Sequence, residues 1–367
     1  MSFTPPPYPY SRLAGLTQLA EGHQGGPIDC SIGTPIDAPA PFILEELARA
    51  VGARGYPASA GSPAFRDAGV EWLQRQFAVT LDGDDVAACV GTKEFVATLP
   101  GFLHRRSPER DTVLFPAISY PTYAMGATLA GLRAVPVPLV GGQLDLAAIS
   151  PADSSRALVL WANSPSNPTG RLDDLERVAT WGRRHGVLVA SDECYASFTW
   201  VHPADSMLQH GAEGVLAVHS LSKRSNLAGL RVGFYAGDHE VVAYLRLVRQ
   251  HAGFMVPGPV QSAAAVAYGD ERHVDEQRRI YRGRLERLAA ALSTAGVQAP
   301  LPDGGFYLWC QRTGLDGWEL GAWLAERSGL VVSPGEFYGP DASAYVRIAM
   351  VQSDERLALA ASRLAEA

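Results

Sequence analysis

The stretch Ser220-Leu-Ser-Lys-Arg-Ser-Asn-Leu-Ala-Gly-Leu-Arg231 sets a lysine among small hydroxyl residues and follows it with an arginine eight positions on. The apolar run before it, residues 215–218, reads as a buried strand that delivers Lys223 into an interior site. A desolvated lysine gives up its proton readily, and the free amine forms an imine with an aldehyde. The hydroxyls of Ser220 and Ser222 and the forked donors of Arg231 suit a phosphate dianion beside that amine. Pyridoxal 5'-phosphate carries an aldehyde and a phosphate on one small ring, and it is the cofactor these residues imply. Ser220-Leu-Ser-Lys223 also fits the S-x-x-K pattern of acylated serines, but the chain holds neither the S-D-N nor the K-T-G companion of that chemistry.

Further residues complete such a site. Asp192 ends the apolar run 187–191, where a carboxylate can pair with a protonated ring nitrogen and keep the ring an electron sink. Asn167, in Asn-Pro-Thr-Gly170, and Tyr195 can both reach the ring's phenolic oxygen. Gly91-Thr92-Lys93-Glu94 stands where a strand hands over to a helix, so backbone N–H groups and the helix dipole favour a phosphate there. Tyr120 can stack on the ring. Arg347 lies alone among apolar neighbours in Tyr345-Val-Arg-Ile-Ala-Met350 and should meet an anion such as a substrate α-carboxylate. Taken singly, these residues read as turns, caps, packing aromatics and a salt bridge; their convergence on one site is the argument.

The elements that must position them alternate. Strands are expected near 86–90, 112–115, 134–137, 157–161, 187–191, 215–219 and 231–236, with helices near 94–103, 122–130, 172–185 and 239–251. Alternation of this kind implies a mostly parallel, seven-stranded α/β sheet flanked by helices, with ligands at the carboxyl ends of its strands. Ahead of it come an extended piece at 28–33, a helix at 41–54, the loop carrying Tyr56 and a helix opened by Ser62-Pro63 that runs to 77. Beyond Pro257 the pattern becomes α+β: a helical region at 260–295, a strand at 306–310, a helix at 318–327, a strand at 344–350 and a last helix from 354. The expected division is an N-terminal segment, 1–40, packing with the smaller domain; a large cofactor-binding domain, 41–255; and an interdomain helix with a small C-terminal domain, 256–367.

Composition limits the rest. At 367 residues, with 47% hydrophobic and 19% charged, the chain is ordinary globular protein, and a net charge of -7 argues against nucleic acid as a partner. Four cysteines form no C-x-x-C pair, so reduced thiols are expected, with neither a metal site nor a disulfide framework. The proline-rich start has no basic leader or apolar signal core, and no stretch nears the ~20 apolar residues of a membrane span. A cytoplasmic protein without membrane partners is the default expectation.

The order Asn-Pro-Thr-Gly170, then Asp192-Glu-Cys-Tyr195, then Ser220-Leu-Ser-Lys223 with its following Arg231 resembles the class I/II pyridoxal-phosphate aminotransferases of fold type I, along nearly the whole chain. The resemblance implies that Lys223 carries the cofactor and shuttles the proton, that Asp192 pairs with the ring nitrogen, and that Asn167 and Tyr195 bind the phenolic oxygen. It makes Tyr120 the stacking aromatic, places Thr92, Lys93, Ser220, Ser222 and Arg231 at phosphate-loop positions, and gives Gly33 and Arg347 to the substrate. It further implies a homodimer with shared sites, in which Tyr56 reaches the phosphate of the other subunit. Ser31-Ile-Gly-Thr-Pro35, Asn163-Ser-Pro-Ser-Asn-Pro-Thr-Gly170 and the segment from His251 are similar, more narrowly, to actinobacterial N-succinyldiaminopimelate aminotransferases of lysine biosynthesis. The implied reaction is transfer of an amino group between glutamate/2-oxoglutarate and N-succinyl-2-amino-6-oxopimelate; transamination of another amino acid, aspartate or aromatic, or a β-lyase reaction are the alternatives. Phe254 stands where methionine is expected. Arg12, Arg66 and Arg224 are the arginines to examine for reading distal substrate groups, and each reads by default as a surface or salt-bridge residue.

Overall fold

The computed structural model of the chain describes residues 4–52 and 54–366. Its centre is a seven-stranded sheet in the order Val86–Cys89, Gly233–Gly237, Val215–Ser220, Leu188–Asp192, Ala157–Asn163, Thr112–Pro116, Arg133–Val137. Gly233–Gly237 runs antiparallel to both its neighbours, and every other adjacent pair is parallel. The central strands are apolar runs rather than alternating ones because both faces are covered: every residue of Ala157–Asn163 and Val215–Ser220 is buried. Register does the positioning. Asn163 lies opposite Asp192 and Asp192 opposite Val218, so the polar residues that end each strand emerge at one edge.

Local chemistry starts the flanking helices. Ser62 accepts a hydrogen bond from the Phe65 amide with Pro63 in the first turn, opening Pro63–Phe77 as its sequence predicts. Asp238 likewise caps His239–His251 by accepting from Val241 N. A smaller antiparallel sheet joins Tyr307–Gln311, Tyr345–Ala349 and Ser333–Pro334, and sets Arg347 opposite both Trp309 and Ser333. Residues from near the start of the chain cover this part: Leu13, Leu16 and Ala20 pack with Ala325, Val331 and Phe337, and Ile28 and Asp29 pair in parallel with Leu330 and Val331. Among the described residues no helix is long and apolar enough to cross a membrane.

Three expectations change. The helical region at 260–295 is two helices, Gly258–Tyr268 and Arg272–Thr294, because Gly269 ends the first, and Asp270, just ahead of the second, accepts from the His273 amide in its first turn. The strand expected at 231–236 begins at Gly233, since Arg231 sits in a left-handed turn with φ of 54°. The helix expected at 41–54 closes as Pro41–Ala50; Ala53 lies outside the described residues, as do Met1, Ser2, Phe3 and Ala367. A short hairpin, Leu139–Val140 with Gln143–Leu144, was invisible to periodicity because its strands are two residues long.

Candidate active site

Lys223 sits in a single helical turn, Leu221–Arg224, opened by Ser220, whose Oγ accepts from the Ser222 amide at 3.0 Å. Arg224 pins the turn from behind, donating to Ala267 O at 2.7 Å and to a Glu271 carboxylate oxygen at 2.6 Å. Burial pushes the Lys223 amine down to about 8, helped by the positive charges of Arg347 and Arg231. Its Nζ donates to the carbonyl oxygen of Gly33. The cavity it enters has a volume of about 510 Å³ and opens at the carboxyl ends of the parallel strands.

Asp192 ends its strand buried, and burial holds its carboxyl above the usual carboxylate range. Tyr123 Oη donates to one carboxylate oxygen at 3.0 Å and the Cys194 amide to the other at 3.2 Å. Asp192 has no ion-pair partner among the described residues, so its charge is available to a cation entering the cavity. Asn163 ties the neighbouring groups together: its Nδ2 donates to Asp192 O at 2.8 Å and its Oδ1 accepts from the Asn167 amide at 2.7 Å.

Arg347 is 2% exposed and pairs with no carboxylate among the described residues. Its guanidinium donates to Asn167 Oδ1 at 2.7 Å and to Ser31 O at 2.6 Å, between the rings of Tyr307 and Tyr338 at 4.2 and 4.9 Å. Its Nε is buried without a hydrogen-bond partner among the described residues. A buried, unneutralised guanidinium costs free energy unless an anion arrives. Tyr195 Oη lies 2.7 Å from Tyr307 Oη, so Tyr307 shares the hydroxyl assigned to Tyr195 alone in the sequence.

The opposite end of the cavity is equally specific. Thr92, Ser220, Ser222 and Arg231 line the same cavity, and among the described residues Arg231 has only the Ala228 carbonyl, at 2.8 Å, as hydrogen-bond partner. A Cβ on Gly91, which has φ of 75°, would strike the Arg231 guanidinium, so the glycine leaves a cradle at the start of the helix Thr92–Arg106. An arginine without an ion pair among the described residues, hydroxyls and a helix start at one end, a buried carboxylate at the other and a low-pKa lysine between them fit the cofactor implied by the sequence.

All but one of the residues anticipated from the sequence converge here: Gly33, Thr92, Lys93, Tyr120, Asn167, Asp192, Tyr195, Ser220, Ser222, Lys223, Arg231 and Arg347 line one cavity. Tyr56 does not; it is 97% exposed, on the surface. Tyr120 meets the Tyr123 ring edge-on at 5.9 Å. Arg12, Arg66 and Arg224 pair with Glu336, Asp84 and Glu271, and none lines the cavity. Phe254 also lies outside it, against the guanidinium of Arg249. Sequence reasoning missed Tyr8, Tyr10, Tyr123, Asn163, Cys194 and Tyr307. Tyr307 had a readable signal, an aromatic on the strand that must pair with the one carrying Arg347, whereas Tyr8 and Tyr10 lie in an irregular proline-rich stretch.

Comparison with known proteins agrees with this geometry. The family model described as "Aminotransferase class I and II" matches residues 27–364. A probable aminotransferase of Mycobacterium tuberculosis is 45% identical, covering 98% of this chain and 85% of its own length. A 4-dedimethylamino-4-oxo-anhydrotetracycline transaminase of Streptomyces rimosus is 41% identical over 98% of this chain and 99% of its own. Among solved structures, a probable N-succinyldiaminopimelate aminotransferase from Thermus thermophilus superposes with a TM-score of 0.87 at 31% identity, covering 98% of this chain and 100% of that one.

Proposed function

The chain belongs to the class I and II aminotransferases, a family that uses pyridoxal 5'-phosphate, and from that premise we propose that it moves an amino group between glutamate/2-oxoglutarate and N-succinyl-2-amino-6-oxopimelate. The observation that carries the acceptor is the likeness to the Thermus protein over nearly the full length of both chains. When bound, pyridoxal 5'-phosphate supplies an aldehyde that takes up the amino group and a ring that draws electrons from the α-carbon. Lys223, its proton affinity lowered by burial, holds and returns the proton at that carbon. Asp192 keeps a positive charge on the ring nitrogen, and Tyr123 and Cys194 fix the carboxylate that does so. Asn167 and Tyr195 would hold the ring through its phenolic oxygen, and Tyr120 would supply a stacking partner for it. Thr92, Ser220, Ser222 and Arg231 hold the phosphate. Arg347 binds the substrate α-carboxylate, beside a segment whose Ser31 and Gly33 carbonyls accept from Arg347 and Lys223 and so orient both side chains.

Tyr56 belongs in the same reading as a residue lent to a second copy's phosphate site, since a tyrosine left 97% exposed on one chain is free to be buried by another. A dimer by sedimentation, and weaker cofactor binding in Tyr56→Phe, are expected; a monomer with full activity would remove this part.

The acceptor is tested by measuring kcat/KM for a panel of keto acids with glutamate as donor. N-succinyl-2-amino-6-oxopimelate should exceed pyruvate, oxaloacetate and phenylpyruvate by at least about tenfold, a difference of about 1.4 kcal/mol in transition-state binding. Preference for one of those acids, or release of pyruvate and ammonia in place of transamination, would contradict the assignment. A second reading, a cyclic polyketide ketone as acceptor, is favoured by the 41% identity to the Streptomyces rimosus enzyme, and adding such a ketone to the panel decides between them.

A further inference from the structure

Tyr195 and Tyr307 meet through their hydroxyls, 2.7 Å apart, on the wall of the cavity. Tyr195 follows the strand Leu188–Asp192 of the large sheet, and Tyr307 opens the strand Tyr307–Gln311 of the small one. Both are buried, with ring centres 5.5 Å apart and planes crossing at 69°. Each hydroxyl has one proton to give, and only one of the two protons can lie between the oxygens. Where the other goes decides what Tyr195 presents to the cavity.

The surroundings favour one direction. Among the described residues Tyr307 Oη has no hydrogen-bond partner except Tyr195. The Gly33 carbonyl accepts from Lys223 Nζ instead, and a Cβ on Gly33 would strike the Tyr307 hydroxyl, so backbone closes that side. Were Tyr195 the donor, the Tyr307 proton would be buried without an acceptor, which is costly. With Tyr307 as donor both protons are placed: its own on Tyr195 Oη, and that of Tyr195 toward the phenolic oxygen it serves under the reading above. Arg347 acts in the same sense. Its guanidinium lies 4.2 Å from the centre of the Tyr307 ring. Burial raises the Tyr307 hydroxyl and this charge draws it back, whereas burial holds Tyr195 well above its ordinary value, so Tyr307 is the readier donor of the two.

We infer that Tyr307 is a positioning residue for the cofactor: its hydroxyl donates to Tyr195 and so commits the Tyr195 proton to the phenolic oxygen. The inference rests on the cofactor reading and adds to it a hydroxyl that acts only through another. Two hydroxyls in a chain donate more strongly than one, because each bond polarises the next. Donation to the phenolic oxygen favours the form in which that oxygen bears its full negative charge, so the chain lowers the pH at which the visible band of the loaded protein gives way to that of the deprotonated form.

Tyr307→Phe in the holoenzyme tests it, since this change removes the hydroxyl and keeps the ring against Arg347. The midpoint pH of the visible band, followed by spectrophotometric titration, should rise by about half a unit, a change of about threefold in the proton equilibrium. Tyr195→Phe should raise it by about one to two units. The double variant should match Tyr195→Phe alone, because without Tyr195 the chain has nothing to transmit. Fluorination of Tyr307 makes its hydroxyl a stronger donor without removing it and should move the midpoint downward; it also decides the matter if Tyr307→Phe fails to fold or to load. A purely structural role for Tyr307 would lower the thermal midpoint of unfolding and leave the titration where it was. An unchanged titration in loaded Tyr307→Phe, an upward move on fluorination, or the same half-unit rise (about threefold) added on top of Tyr195→Phe would each overturn the inference and leave the cofactor reading intact. A titration indifferent to Tyr195→Phe, or no visible band in the unsubstituted protein, would overturn the role of Tyr195 and the inference with it.

Discussion

Replacing Arg347 by methionine keeps the length and apolar bulk of the side chain while removing its donors. Two consequences separate. Within the protein, Ser31 O and Asn167 Oδ1 lose donors at 2.6 and 2.7 Å in a buried site, and the guanidinium no longer fills the space between Tyr307 and Tyr338. Each orphaned acceptor costs about 1–3 kcal/mol of stability, which leaves a folded protein whose cofactor absorbance serves as the control. Toward substrate, a bidentate carboxylate contact is lost; two charge-assisted hydrogen bonds at about 1.5–3 kcal/mol each give a total of about 3–6 kcal/mol, or about 10²–10⁴ in kcat/KM. The assay compares glutamate with a primary amine that lacks the α-carboxylate. Glutamate should lose the full factor and the amine almost nothing, because the amine never used the contact. Arg347→Lys should restore charge without the fork and recover only part. A loss below about tenfold on glutamate, or an equal loss on both amines, would refute the assignment of Arg347 to the carboxylate.

Other outcomes follow from the same geometry. Asp192→Asn, nearly isosteric, removes a charge that acts at close range in a buried site; at about 4 kcal/mol for unit charges 4 Å apart in a medium of effective dielectric 20, turnover should fall about 10³-fold with the cofactor still bound, as single-turnover kinetics would show. Lys223 has its folded-state pKa lowered from 10.5 to about 8, so the reactive neutral amine is scarce below that value: uptake of pyridoxal 5'-phosphate by the apoprotein should rise as pH is raised through about 8 and then level off, rather than climbing toward 10.5. Arg249 is 2% exposed, doubly bonded to Glu94 and enclosed by the rings of Phe95, Tyr235 and Phe254. Arg249→Ala leaves that acid unpaired, at about 3 kcal/mol, and at about 2.1 cal/mol/K of unfolding entropy per residue calorimetry should find the thermal midpoint lowered by roughly 4 °C.

How much of this was legible in the sequence depended on whether the signal was local. The strands 215–220 and 157–163 announced themselves as apolar runs too short for helices, and polar residues at their ends had to emerge at one edge of a parallel sheet, which is why Asp192, Asn167 and Lys223 could be grouped before any geometry was known. Arg347 was conspicuous because an arginine among strand apolars needs an anion. What stayed hidden was set by contacts distant in sequence. Tyr8 and Tyr10 enter the cavity only because residues 13–20 dock on the helix Gly317–Ser328. Tyr307 reaches Tyr195 across 112 positions. The direction taken by the Lys93 side chain follows from Tyr8 lying across the helix start, which no periodicity encodes. The break at Gly269 was missed for the opposite reason, since the helical pattern on either side is strong enough to mask a single glycine.

The central claim, that this cavity carries an amino group from glutamate to a keto acid through Lys223, is tested most directly by the visible absorbance of the purified protein loaded with pyridoxal 5'-phosphate. The account predicts a visible band that moves to the near-ultraviolet on adding glutamate and returns on adding N-succinyl-2-amino-6-oxopimelate, with Lys223→Ala showing no such cycle. A band indifferent to glutamate, or no band after incubation with the cofactor, would contradict it.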